Sequence, residues 1–83
     1  MRIKVKYRSQ LAAITGTAAE DMEAAAVHEV LRNIKKRYGA EAEKSAKSML
    51  ITVNGESILH LRHFKTKLNE GDEVSFLPIC GGG

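Results

Sequence analysis

Within the stretch VHEVLRNIKKRYG, Val27, Val30, Leu31, Ile34 and Tyr38 fall at i, i+3, i+4, i+7 and i+11. That spacing lines one face of an α-helix. It predicts a helix from about Ala26 to Tyr38, with Gly39 at the αL stop position. An apolar stripe of this width needs a second apolar surface to cover it. The chain has 83 residues, room for one domain and not two. The cover must therefore come from the short elements on either side of the helix.

Those elements read as strands. Ile3, Val5 and Tyr7 alternate with Lys4, Lys6 and Arg8, the period-two pattern of a strand with one wet face. Thr15-Gly16-Thr17 reads as a turn. Met49–Val53 is an apolar, β-leaning run, and Asn54-Gly55 after it is a strong hairpin signal, because a type I′ turn needs φ > 0 at both positions. Ser57–Leu61 is the expected returning strand. Glu70-Gly71-Asp72 makes a further turn, and Glu73–Leu77 a last strand with Val74 and Phe76 on one face. Pro78 ends it, since proline cannot donate to a ladder. Ala40–Ser48 is small and charged without apolar periodicity, and reads as a loop with at most a helical turn. Thr17–Ala25 is rich in Ala and Glu; its local propensity favours helix, yet the clear periodicity starts only at Val27, so first helical turns and a second strand both remain open. The expected architecture is α+β: one main helix across a small mixed sheet, with the first and last strands parallel at its centre.

Composition excludes several function classes. A core this small favours a module over an enzyme with a deep pocket of its own. The net charge is +3, and acids and bases interleave; the densest basic run, Lys35-Lys36-Arg37, complements a helix C-terminus. Two Tyr, two Phe and no Trp give little to stack on bases, which argues against nucleic acid. A single cysteine, Cys80, excludes an intramolecular disulfide framework and a cysteine-based zinc site. His60 and His63, three apart at a strand end, would point to different faces, and read as solvated; His28 falls on the exposed helix face. The charged, alternating start is unlike a signal peptide, and no apolar run is long enough to span a bilayer. A reducing cytoplasm is the simplest placement. No phosphate-binding glycine loop is present, so the chain is not expected to bind ATP or another cofactor itself.

Taken together, the opening IKVKY with LAAITGT, the helix VHEVLRNIKKRYG, the hairpin VNGE and above all the closing LNEGDEVSFLPICGGG resemble the β-grasp sulfur carriers. The match is to the small subunit of molybdopterin synthase (MoaD-like) first and to ThiS-like carriers next. It covers nearly the whole chain and implies a ubiquitin-like β-grasp body over residues 1–78 with a flexible tail over 79–83. It also implies a second strand within Thr17–Ala25. Gly82-Gly83 falls at the family's terminal glycine pair. Ile79 stands where a second proline is common, Cys80 at a usually aliphatic position, and Gly81 where Ala, Ser or Thr is frequent.

What the resemblance implies for function is specific. The C-terminal carboxylate of Gly83 would be the reacting group. A ubiquitin-activating-enzyme-like partner would adenylate it with its own ATP, and a sulfur donor acting through a partner would convert it to a thiocarboxylate. Gly82 and Gly81 would thread slots fit only for backbone. From Pro78 to Gly83 an extended chain reaches on the order of 20 Å. The sulfur would then go to the dithiolene of molybdopterin inside the synthase large subunit, in a heterotetramer of two small and two large chains. Leu59, Leu61, Leu77, Pro78 and Ile79 are the candidate partner-binding patch, the alternative being that the leucines and Ile79 close the small core. Cys80 is either a thiol that joins the sulfur exchange or a small apolar tail residue, the latter favoured. Competing readings are a carrier for thiamine, tRNA thiolation or cysteine synthesis, a ubiquitin-like modifier conjugated through Gly83, and an interaction domain with an inert tail. No autonomous enzymatic activity is expected.

Overall fold

The computed structural model describes residues 1–79. The chain runs β1 (Arg2–Tyr7), α1 (Ser9–Thr15), β2 (Ala19–Glu23), α2 (Val27–Tyr38), α3 (Ala40–Lys47), β3 (Leu50–Val53), β4 (Glu56–Ser57) and β5 (Glu73–Leu77), with short 3₁₀ turns at Ile58–His60 and His63–Lys65. The strands form one sheet in the order β2-β1-β5-β3-β4. β5 runs parallel to β1 and antiparallel to β3, so the first and last strands do meet inside the sheet.

Register decides which face is buried. Ile3, Val5 and Tyr7 of β1, Val74 and Phe76 of β5, and Ile51 and Val53 of β3 share one face, and all are buried. Val27, Val30, Leu31 and Ile34 of α2 close over them as the helical stripe requires. The helix begins at Ala26, with the Glu29 carboxylate accepting the Ala25 N–H at 2.9 Å and so satisfying a donor just ahead of the first turn.

Two expectations are corrected. Ala40–Lys47 is a helix, not a loop. Its buried stripe is Ala42 and Ala46, four apart and both fully buried. Alanine gives almost no apolar signal, yet it is the residue that lets α3 lie close against α1 and α2. Gly39, at φ 102° and ψ 174°, turns the chain sharply between α2 and α3 in a conformation that residues with a Cβ rarely adopt. Ser9–Thr15, to which the patterning assigns no element, is also helical, with Leu11 buried and Ala12 packed against the core. The returning strand, expected over Ser57–Leu61, stops at Ser57. The Ser57 hydroxyl accepts the Leu59 N–H at 3.2 Å and Ile58 turns into the core, so the ladder cannot continue.

Thr17–Ala25 contains the strand β2, against its helical composition. Met22 and Ala24 are buried and Glu20 lies on the same side. Glu20 takes the place of a third apolar residue because its carboxylate is fully used. Oε2 accepts from the Tyr7 hydroxyl at 2.5 Å and from the Tyr38 hydroxyl at 2.8 Å, and Oε1 accepts from Arg37 at 2.6 Å. The Tyr7 and Tyr38 rings meet edge to face at 6.3 Å. One carboxylate thus ties β2, β1 and α2 together.

The two turn signals also join. Asn54 and Gly55 sit at φ 51° and 87°, the left-handed pair a type I′ turn requires. The Asn54 amide then reaches across to the turn before β5: Nδ2 donates to Asp72 Oδ1 at 3.0 Å, and Oδ1 accepts the Glu73 N–H at 2.9 Å. Asp72 Oδ2 accepts the Asn69 N–H at 2.7 Å. The start of β5 is clasped to the hairpin by these bonds.

Two outcomes follow from the Glu20 cluster. Glu20→Gln is expected to lower stability by about 2 kcal/mol, since it weakens charge-assisted bonds from two part-buried phenols; a urea denaturation curve reads this. Burial first, and the Glu20 hydrogen bond second, push the Tyr7 phenol far above its ordinary range, and Tyr38 shifts the same way. Below the unfolded-state pKa, about pH 10, both states hold the proton and stability is unaffected. As pH rises above it, only the unfolded chain releases the proton, so stability falls. Alkaline unfolding is therefore expected to be shallower in Tyr7→Phe than in the unmodified chain.

Candidate functional site

The candidate site is the end of β5, where the chain leaves the sheet. Phe76 is fully buried and packs its ring 6.1 Å from that of Tyr7 across the parallel pair. The next residue, Leu77, points to the opposite face of the sheet, which carries no helix among the described residues. Leu77 is opposite Leu50 of β3 and both are half-buried. Pro78 and Ile79 then project outward, Ile79 67% exposed. The strand is paired through Leu77 and exposed from Pro78 onward.

The open face is divided by charge. Over β2 and β1 it carries Arg2 with Asp21 at 3.7 Å and, bridging to β5, Lys6 with Glu73 at 3.4 Å. These pairs are largely exposed and add little to stability. Beyond Glu73, the same face over β5, β3 and β4 carries the uncharged Ser75, Ser57, Leu50 and Leu77, with Thr52 buried among them.

Of the residues singled out from sequence, Leu59 is 64% and Leu61 36% exposed, in the segment that follows β4. They do not close the core; Ile58 and Leu68 do, both buried. Leu77, Pro78 and Ile79 cluster by sequence at the strand end. Leu50 joins Leu77 through strand register and was not singled out, because pairing cannot be read from an isolated strand. Cys80, Gly81, Gly82 and Gly83 lie outside the described residues. His60 and His63 sit in the two 3₁₀ turns and not on a strand end. His28 is exposed on α2, its Nδ1 3.2 Å from the Phe64 carbonyl oxygen. Among the described residues no three His, Cys, Asp or Glu side chains are grouped to hold a metal ion, and no helix is long and apolar enough to cross a membrane.

Exposed Leu59 and Ile79 should be replaceable without harm to the fold. Leu59→Asp and Ile79→Asp are each expected to stay within about 0.5 kcal/mol of the unmodified chain, whereas Phe76→Ala should cost about 4 kcal/mol. Thermal or urea unfolding of the three variants side by side checks the contrast.

The profile of the ThiS family matches residues 5–83. No curated protein matches the chain by sequence. Among solved structures, the small archaeal modifier protein 1 from Methanosarcina acetivorans is similar at TM-score 0.86 and 27% identity, covering 99% of this chain and 96% of that one. A protein assigned as molybdopterin converting factor subunit 1 from Pyrococcus furiosus gives TM-score 0.72 and 25% identity, over 94% and 97% of the two chains. The Amycolatopsis orientalis BexX/CysO complex contains a chain similar at TM-score 0.82 and 19% identity, over 98% and 99%, a likeness of fold alone. With its sequence matched from Val5 through Gly83 and its fold shared almost end to end, the chain belongs to the ThiS family of ubiquitin-like β-grasp sulfur carriers.

Proposed function

We propose that the chain carries sulfur on the carboxylate of Gly83 for the dithiolene of molybdopterin. The observation that carries this reading is the family match through the final Gly82-Gly83, behind a β5 strand anchored by Phe76. The similarity to the Pyrococcus furiosus protein supports the molybdopterin assignment.

A free carboxylate is a poor acyl donor. A partner enzyme with ATP would join it to AMP, releasing pyrophosphate, and a sulfur nucleophile would then attack the carbonyl carbon and expel AMP, dividing a difficult step in two. With sulfide as the nucleophile the thiocarboxylate forms directly; with a persulfide donor an acyl disulfide forms, and attack of a second thiol on the donor-side sulfur releases the thiocarboxylate and leaves a disulfide on the donor. Both partner sites must exclude water from an activated acyl group, and glycines without Cβ admit the backbone to such slots. In this reading the chain holds no cofactor; ATP belongs to the adenylating enzyme. The large subunit of molybdopterin synthase would receive the sulfur in a two-plus-two assembly, docking on the part of the open face around Leu50 and Leu77 together with Pro78, Ile79 and the exposed Leu59 and Leu61. The reducing cytoplasm suits both the thiocarboxylate and Cys80, which serves as a small apolar residue of the tail.

A second reading, a protein modifier joined through Gly83 to lysines, is favoured by the likeness to small archaeal modifier protein 1. One experiment separates them. The full chain is incubated with an adenylating enzyme of this family, ATP and a sulfide source, and intact masses are recorded. The gain of one oxygen-to-sulfur exchange is the expected result. Lysine adducts on other proteins without that exchange would establish the modifier instead, and an unchanged mass would overturn both.

A further inference from the structure

A groove on the helical side of the molecule has no part in the carrier chemistry. It lies between α2, α3 and the second 3₁₀ turn and has a volume of about 460 Å³. Its apolar surface comes from Leu31, which is buried, and Phe64, 41% exposed. The other three aromatic rings, Tyr7, Tyr38 and Phe76, belong to the core network. Phe64 is thus an aromatic side chain left in solvent beside a groove, its backbone held against α2 by the contact of His28 with the Phe64 carbonyl.

The charge around the groove is net positive: Arg32, Lys35 and Lys47 against Glu43. Arg32 and Lys35 line it and form no ion pair among the described residues. The acid in the groove, Glu43, is taken up by Lys47 at 3.9 Å. On the other side of His28, Lys65 and Lys67 line a second depression, again without an ion pair among the described residues. The acid there, Glu29, accepts the Ala25 N–H. The result is a basic track with one aromatic anchor point at its middle, while the neighbouring carboxylates are engaged.

We propose that this groove docks an acidic segment of a partner protein, with one apolar side chain seated against Leu31 and Phe64 and carboxylates facing Arg32 and Lys35. Charge complementarity selects an acidic occupant. A single exposed ring favours a peptide over single-stranded nucleic acid, which stacks successive bases on several aromatics. No residue of the sheet lines the groove, so an occupant leaves the open sheet face and the end of β5 accessible. A partner could therefore hold the body by one surface while the tail is used elsewhere. The docking site stands on its own residues and does not depend on the carrier reading.

The test is a titration of the full chain with a fluorescent synthetic peptide, a Leu-Phe core flanked on each side by Asp and Glu, followed by anisotropy and by amide chemical shifts. Saturable binding is expected, with shifts at Leu31, Arg32 and Phe64 and an affinity that falls as salt rises. Arg32→Glu combined with Lys35→Glu should weaken it about tenfold or more. Phe64→Ser should also weaken it while the remaining amide spectrum stays that of the folded chain. A chain lacking Gly82 and Gly83 should bind as well as the full one, which separates this result from failure of the carrier reading. Absence of saturable binding would overturn the proposal. So would shifts confined to the open sheet face, equal binding of a peptide with Ser in place of the Leu-Phe core, or equal binding of an oligouridylate.

Discussion

Tyr7 and Phe76 are in register across the parallel pair of β1 and β5, both buried, their rings 6.1 Å apart. That pair is the longest-range contact the sheet makes in sequence, and the other elements are arranged around it. β2 and β3 extend the sheet on either side, α2 covers it, and the Asn54–Asp72 clasp fixes where β5 begins. A parallel pair needs a long crossover between its strands. Here nearly the whole body of the protein is that crossover. The strand that hands the chain over to the tail is consequently held on both edges and at its start.

Glu20 shows how a half-buried polar group can substitute for an apolar one. An isolated carboxylate in that position would be costly. Two phenols and a guanidinium make it a joint between β2, β1 and α2. The same arrangement keeps Tyr7 and Tyr38 protonated to unusually high pH, so the joint weakens only in strongly alkaline solution.

The parts of the fold legible in sequence are those whose signal is local. The α2 stripe, the alternation of β1, the Asn-Gly turn and the closing strand each encode themselves through side-chain periodicity or φ > 0. What escaped were elements whose reasons lie elsewhere in the chain. α3 is built on two alanines whose smallness matters only against α1 and α2, and α1 has one fully buried residue, Leu11, beside Ala12. β2 was legible through family resemblance, because the partners that make Glu20 acceptable sit at Tyr7, Arg37 and Tyr38. The same holds for the sites. The strand end and its exposed Leu59 and Ile79 could be singled out from sequence, while Leu50 needed strand register and the basic groove needed Phe64 brought against Arg32 and Lys35.

In the proposed function the body positions the chain's end and the Gly83 carboxylate reacts. Removing Gly83 alone tests that division most directly, by following unfolding and sulfur loading on the same preparation. The account expects an unfolding curve superimposable on that of the full chain together with complete loss of the oxygen-to-sulfur exchange. Sulfur loading that survives the deletion would contradict it, as would a loss of more than about 1 kcal/mol of stability, the scale of an ordinary folded-state contact.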